Sequence, residues 1–152
     1  MTLRFPYMQE SLRGIPPPSL PSTATGRWRP FVPLTLFGPS TSWFFNRALV
    51  DSGSDDTVFP LNVAKHLGVP LLVDSGHVLR WRGQVQPLRF GIVELNLVDA
   101  NGNSLHWPAT VAFTTSVIPY PLLGVSGCLE FMDAKFLGKD RILELEPNAD
   151  FP

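Results

Sequence analysis

The sequence is short of cysteine: among 152 residues only Cys128 carries a thiol. One thiol excludes an internal disulfide framework and fits a reducing compartment. A free cysteine beside Leu129, with Met132 close by, reads as a small core residue rather than a nucleophile, because no motif supplies a partner base. Long hydrophobic runs are missing too. No stretch approaches the roughly 18 apolar residues of a membrane span, and no charged start leads into the apolar block of a secretory leader. A cytoplasmic chain with no membrane partner is the expectation. Charge is scarce, at 16% of residues with a net of −1, so no basic field invites nucleic acid. His66, His77 and His106 lack the spacing of zinc ligands, and no glycine-rich phosphate loop is present. No cofactor and no metal are therefore expected. Repeats of 20–50 residues are absent as well, which excludes a solenoid.

What is present is apolar and aromatic: 44% hydrophobic residues, with 11 Phe and 4 Trp. That supports a packed core, and the length suits one domain better than two. Trp28, Trp43, Trp81 and Trp107 read as packing residues, since base-stacking platforms go with basic patches. The charge is uneven. Arg4, Arg13, Arg27 and Arg29 face Glu10 alone in the first 30 residues, while the remainder holds eight basic and twelve acidic residues. Residues 13–30, RGIPPPSLPSTATGRWRP, hold five of the 16 prolines and read as an extended, weakly ordered linker. LRFPYM (3–8) before it is either frayed or docked as an edge strand. Residues 1–28 thus form an arm and linker, 29–147 a domain and 148–152 a tail.

Within the domain the pattern is β-rich. Strands are expected over FVPLTLF (31–37), WFFNRALV (43–50) and TVF (57–59). PLNVAKHLG (60–68) follows as a short helix, opened by Pro60 and stopped by Gly68. VPLLV (69–73) and HVLRWRGQVQPLRF (77–90) read as strands, the latter turning at Gly83. IVELNLV (92–98) and HWPATVAF (106–113) flank a DANGN hairpin turn. SGCLEFMDAKF (126–136) is expected to begin as a short helix, and RILELEP (141–147) to close the chain as a strand with Glu144 and Glu146 on its solvated face.

Residues 49–53 read LVDSG, and residues 72–76 repeat those letters. The contexts differ. Asp51-Ser52-Gly53 continues into Ser54-Asp55-Asp56-Thr57, a strand and a helix. Asp74-Ser75-Gly76 continues into HVLRW, and reads as a turn. The two aspartates are 23 residues apart, room for one helix and one strand, so they do not make an internal pair of lobes.

The seven positions Asp51 to Thr57, with Leu122-Leu123-Gly124 some seventy residues on, resemble the retropepsin-like aspartic proteases. The likeness runs from about residue 27 to 147, in the manner of the bacterial single-domain members. It implies a mostly β, single-lobe acid-protease barrel with one or two short helices, acting as a homodimer on a polypeptide substrate. Each protomer would supply Asp51 to a catalytic dyad. The resemblance further implies that Ser52 locks the two catalytic loops together, that Gly53 lets them approach, and that Asp55 and Asp56 meet an extended peptide. Trp81, Arg82 and Gly83 would belong to a flap over it, and Leu122, Leu123 and Gly124 to the loop opposite the catalytic turn. LRFPYM and RILELEP are the candidate terminal strands at the dimer base. Two departures stand out. Val125 replaces the arginine that many retroviral members use to pair with the residue at Asp55, so that pair is either missing here or supplied by Arg47 or Arg141. The flap has one glycine near its tip, Gly83, beside a tryptophan. The rival expectation is a catalytically silent dimerisation or peptide-binding module of the same fold.

Overall fold

The computed structural model describes residues 1–73, 76–81 and 83–152. In chain order the strands are β1 (Leu3–Pro6), β2 (Met8–Ser11), β3 (Gly26–Arg29), β4 (Phe31–Phe37), β5 (Ser42–Val50) and β6 (Val58–Pro60). Helix α1 (Leu61–Leu67) follows, then β7 (Val78–Trp81), β8 (Gln84–Val98), β9 (Ser104–Thr114) and β10 (Leu122–Leu123). A 3₁₀ turn (Leu129–Phe131), β11 (Met132–Leu137) and β12 (Ile142–Pro147) complete the chain. The protein is mostly β. None of its described helices is long and apolar enough to cross a membrane.

Seven strands form one sheet in the order β4-β5-β10-β6-β9-β8-β7. A second pairing of β4 with β8, from Thr35↔Asn96 to Phe37↔Glu94, brings distant parts of this sheet together. β8 and β9 are the long hairpin predicted by alternation, joined through DANGN. There the Asp99 carboxylate accepts from the Asn101 and Asn103 backbone N–H groups at 2.9 and 3.0 Å. Helix α1 follows its sequence signals: Val63, Ala64 and Leu67 are buried, and Gly68 closes it at φ 70°, where a left-handed backbone favours glycine.

A three-stranded sheet, β1-β12-β11, holds the two ends of the chain. LRFP docks as an edge strand with Leu3↔Leu145 and Phe5↔Leu143 in register, and Leu3 and Phe5 lie in the main core. The terminal strands pair with each other inside one chain. The linker is more ordered than its proline content suggests, because Gly26–Arg29 pairs with Met8–Ser11 as a hairpin. Arg29 bridges Glu10 at 3.5 Å, and the Arg141 guanidinium lies 4.4 Å over the Trp28 ring.

Two expected elements differ. VPLLV (69–73) is irregular rather than a strand. Pro70 has no N–H for a ladder, and Val69 and Pro70 pass directly over the Cβ-less Gly91, so side-chain contact replaces pairing. Among the described residues only the Leu72 N–H of this segment reaches a strand, donating to the Phe90 carbonyl at 2.8 Å. The helix expected from residue 126 shrinks to the 3₁₀ turn. From Met132 the chain is extended against β12, from Met132↔Pro147 to Leu137↔Ile142, and this non-local ladder outweighs local helical preference. Asp74 and Ser75, the second LVDSG copy, lie outside the described residues.

Candidate active site

Strand β5 buries Ala48, Leu49 and Val50 and delivers Asp51 at its end. Alongside it, in parallel, run Leu122↔Leu49 and Leu123↔Val50. The Asp51 N–H donates to the Leu123 carbonyl at 3.0 Å. On its other side β10 meets β6 through Leu122↔Val58. Leu122 and Leu123 are therefore threaded between the strand that enters the Asp-Ser-Gly turn and the strand that leaves it.

The turn is closed by its own groups. The Gly53 N–H donates to Asp51 Oδ1 at 2.9 Å, and the Ser54 N–H to the Asp51 carbonyl at 3.1 Å. Beyond it, residues 54–57 are zipped to 124–126. The Val125 N–H donates to the Ser54 carbonyl at 2.9 Å, the Ser126 N–H to the Asp55 carbonyl at 2.8 Å, and the Thr57 N–H to the Ser126 carbonyl at 3.1 Å. Thr57 is fully buried, and its Oγ1 accepts from the Gly124 N–H at 3.2 Å. A Cβ on Gly124 would collide with the Asp56 and Ser54 carbonyl oxygens. Glycine is needed there for proximity.

An open cleft of about 370 Å³ lies above this turn. Asp51, Asp55 and Asp56 line one side, Val58, Leu88 and Leu122 form an apolar floor, and Val78, Leu79 and Arg80 of β7 face them. The floor belongs to a separate small core cluster, in which Phe31, Leu49 and Tyr120 pack beneath Val58, Leu88 and Leu122. Burial pushes the Asp56 carboxyl above its ordinary range, the Asp55 charge adds to the effect, and His77 opposes it.

The expected site residues divide clearly. Asp51, Gly53, Asp55, Asp56 and Leu122 meet at the cleft. Leu123 and Gly124 are buried and support the turn without being part of the cleft lining. Ser52 is exposed, and Gly83 sits in the turn between β7 and β8. Trp81 ends β7, while Arg82 lies outside the described residues. Neither arginine suggested for Asp55 serves it. The Arg47 guanidinium lies over the Phe31 and Tyr120 rings, at 5.2 and 5.7 Å from their centroids, and Arg141 covers Trp28. Among the described residues Asp55 makes no ion pair, and Val125 ties its backbone to Ser54 instead.

Sequence reasoning missed Ser54, Val58, Val78, Leu79, Arg80 and Leu88 as lining residues, and Thr57 and Trp107 as supports. The Trp107 indole is fully buried and donates from Nε1 to the Gly127 carbonyl at 2.9 Å. A buried tryptophan needs such an acceptor, which was the one available signal. Cys128 is buried, and its thiol is pushed up to about 12 by burial and by the Glu130 charge, so it is not a nucleophile at neutral pH. No cluster of three or more His, Cys, Asp or Glu residues suited to a metal occurs among the described residues. Compared with known proteins, the sequence matches no family model and no curated protein.

Proposed function

We propose that the protein is an aspartic endopeptidase of retropepsin type, active as a homodimer in which each protomer contributes Asp51. The observation that carries this reading is the placement of Asp51. Its carboxylate lines an open cleft and stands on a turn held by the Gly53 N–H, by Leu123 and by the zipped 124–126 segment. A rigid support of this kind is what a reacting carboxylate requires.

Within one protomer the chemistry is incomplete, because peptide hydrolysis by this route needs two carboxylates sharing one proton. A two-fold axis beside the Asp51 turn supplies the second from an identical surface. The ionised carboxylate takes a proton from water, the resulting hydroxide attacks the scissile carbonyl carbon, and the protonated partner hydrogen-bonds the carbonyl oxygen. Collapse of the tetrahedral species passes a proton to the leaving amine. The dyad titrates as a unit, so its two apparent pKa values belong to the pair. The barrel-like architecture of the family agrees with the β4–β8 contact and with the threading of β10 between β5 and β6.

The test is cleavage of a denatured protein and a peptide library between acidic and neutral pH by the wild type and by Asp51→Asn. The variant keeps an acceptor oxygen for the Gly53 N–H, so it is expected to fold and to lose cleavage. Unchanged cleavage in Asp51→Asn ends the proposal, as does a strictly monomeric species that retains activity. A wild type that dimerises and binds peptides without cutting them identifies a silent peptide-binding module instead.

A further inference from the structure

The cleft is chemically lopsided. Its floor, Val58, Leu88 and Leu122, is wholly aliphatic, whereas its rim holds the carboxylates of Asp51, Asp55 and Asp56 against the single guanidinium of Arg80 among the described lining residues. Asp51 is committed to the reaction under the reading above. Asp55 is exposed, and its backbone carbonyl is taken by Ser126. Asp56 is half-buried, and its backbone accepts from the Ser54 hydroxyl at 2.7 Å. Among the described residues its carboxylate makes no ion pair with a lysine or arginine. It lines the cleft together with the aliphatic Val58, Leu88 and Leu122, close enough to Asp55 and His77 to feel both charges.

We infer that Asp56 is a specificity-determining residue, and that the trough accepts a lysine or arginine side chain of an extended peptide. The aliphatic stem would lie along Val58, Leu88 and Leu122 while the cationic head reaches Asp56. Long basic side chains divide themselves in this way between apolar surface and a charged or wet rim. An apolar side chain fills the floor but leaves the rim carboxylates facing hydrocarbon. An acidic one adds a like charge to a rim that already repels itself. Burial first and the Asp55 charge second raise the Asp56 carboxyl, while His77 opposes them, and a bound cation favours the ionised form further. Arg80 stands on the facing strand β7, the one lysine or arginine among the described lining residues. This inference rests on the protease reading for the position of the scissile bond. In a two-fold dimer each half of the cleft carries one such trough, so basic residues on either side of the cut find the same surroundings.

The experiment compares three otherwise identical fluorogenic peptides carrying lysine, norleucine or glutamate at the variable position. Norleucine keeps the stem and drops the charge. In the wild type, kcat/KM for the lysine peptide is expected to exceed that for norleucine by about tenfold, as for one charge-assisted hydrogen bond, with glutamate slowest. In Asp56→Asn the lysine-to-norleucine ratio falls towards one, whatever the absolute rate, and Asp56→Glu restores a ratio above one. A wild type that prefers norleucine, or an Asp56→Asn ratio equal to that of the wild type, overturns the assignment. The same peptides are titrated against Asp51→Asn by fluorescence anisotropy. If the wild type cuts nothing, the protease reading fails, and this binding series decides the trough alone: tighter binding of lysine upholds it and equal binding ends it.

Discussion

Gly124 offers the sharpest test of how the candidate site is built. Its backbone is not in the left-handed region, so no conformational need for glycine exists there. What excludes a side chain is the neighbouring loop: a Cβ would press on the carbonyl oxygens of Ser54 and Asp56. Those atoms are main chain and are pinned. The Ser54 carbonyl accepts from Val125, and Thr57 accepts from the Gly124 N–H itself. Gly124→Ala must therefore push the 124–126 segment off residues 54–57, or break these bonds. Overpacking against atoms that cannot rotate away costs about 2–3 kcal/mol. For a chain of this size that lowers Tm by about 5–10 °C. Gly102→Ala is the control. Gly102 has φ +82° and nothing within 4 Å of its would-be Cβ, so it carries only the backbone strain of about 1 kcal/mol. Differential scanning calorimetry of the two variants, with peptide cleavage in parallel, separates proximity from conformation. Gly124→Ala is expected to lose both stability and cleavage, and Gly102→Ala to lose a little stability alone. A Gly124→Ala protein within a degree of the wild-type Tm would refute the account of the zipped loops.

Three further outcomes follow from other parts of the fold. Leu3→Ala should cost about 2–4 kcal/mol in chemical denaturation, because Leu3 is fully buried against the C-terminal strands; Ile15→Ala, at a 94% exposed position, should change nothing measurable. Trp107→Phe should lower stability by about 2 kcal/mol by stranding the Gly127 carbonyl, read as a loss of roughly 4–8 °C in Tm. The Asp99 carboxyl is held below its ordinary range first by the Asn103 side chain; burial opposes this next, and the Arg4, Asn103 and Asn101 backbone N–H groups lower it further. A depressed carboxyl stabilises the fold above its unfolded pKa, near 4, and that contribution disappears as pH falls through the folded value. Tm measured from pH 6 downward should therefore decline less steeply in Asp99→Asn than in the wild type.

The legible parts of this protein were those with a local cause. Alternation marked β8, β9 and β12 because side chains on a strand face opposite sides in turn. Pro60 and Gly68 bounded α1 through backbone preferences that no distant contact has to supply. The run Asp51 to Thr57 could be singled out from the second LVDSG by the letters that follow it, without any coordinates. VPLLV failed as a strand because Pro70 and the close pass over Gly91 are decided by what lies opposite. The helix after Ser126 failed because β12 offered residues 132–137 a ladder.

The amino-acid order by itself determined that an apolar strand would run into Asp51, with Gly53 two residues on, and that a strand and a short helix would follow. The tertiary structure alone decided that Leu122 and Leu123 slide between β5 and β6, that Gly124 touches residues 54 and 56, and that the arm's first strand pairs with the chain's last. It also decided that Leu79, Arg80 and Leu88 share a cleft with Asp51. The reason is physical. A turn or a period is fixed by torsions of neighbouring residues. Contacts such as that between Thr57 and Gly124, 67 residues apart, exist only once the buried faces of distant strands have chosen one another.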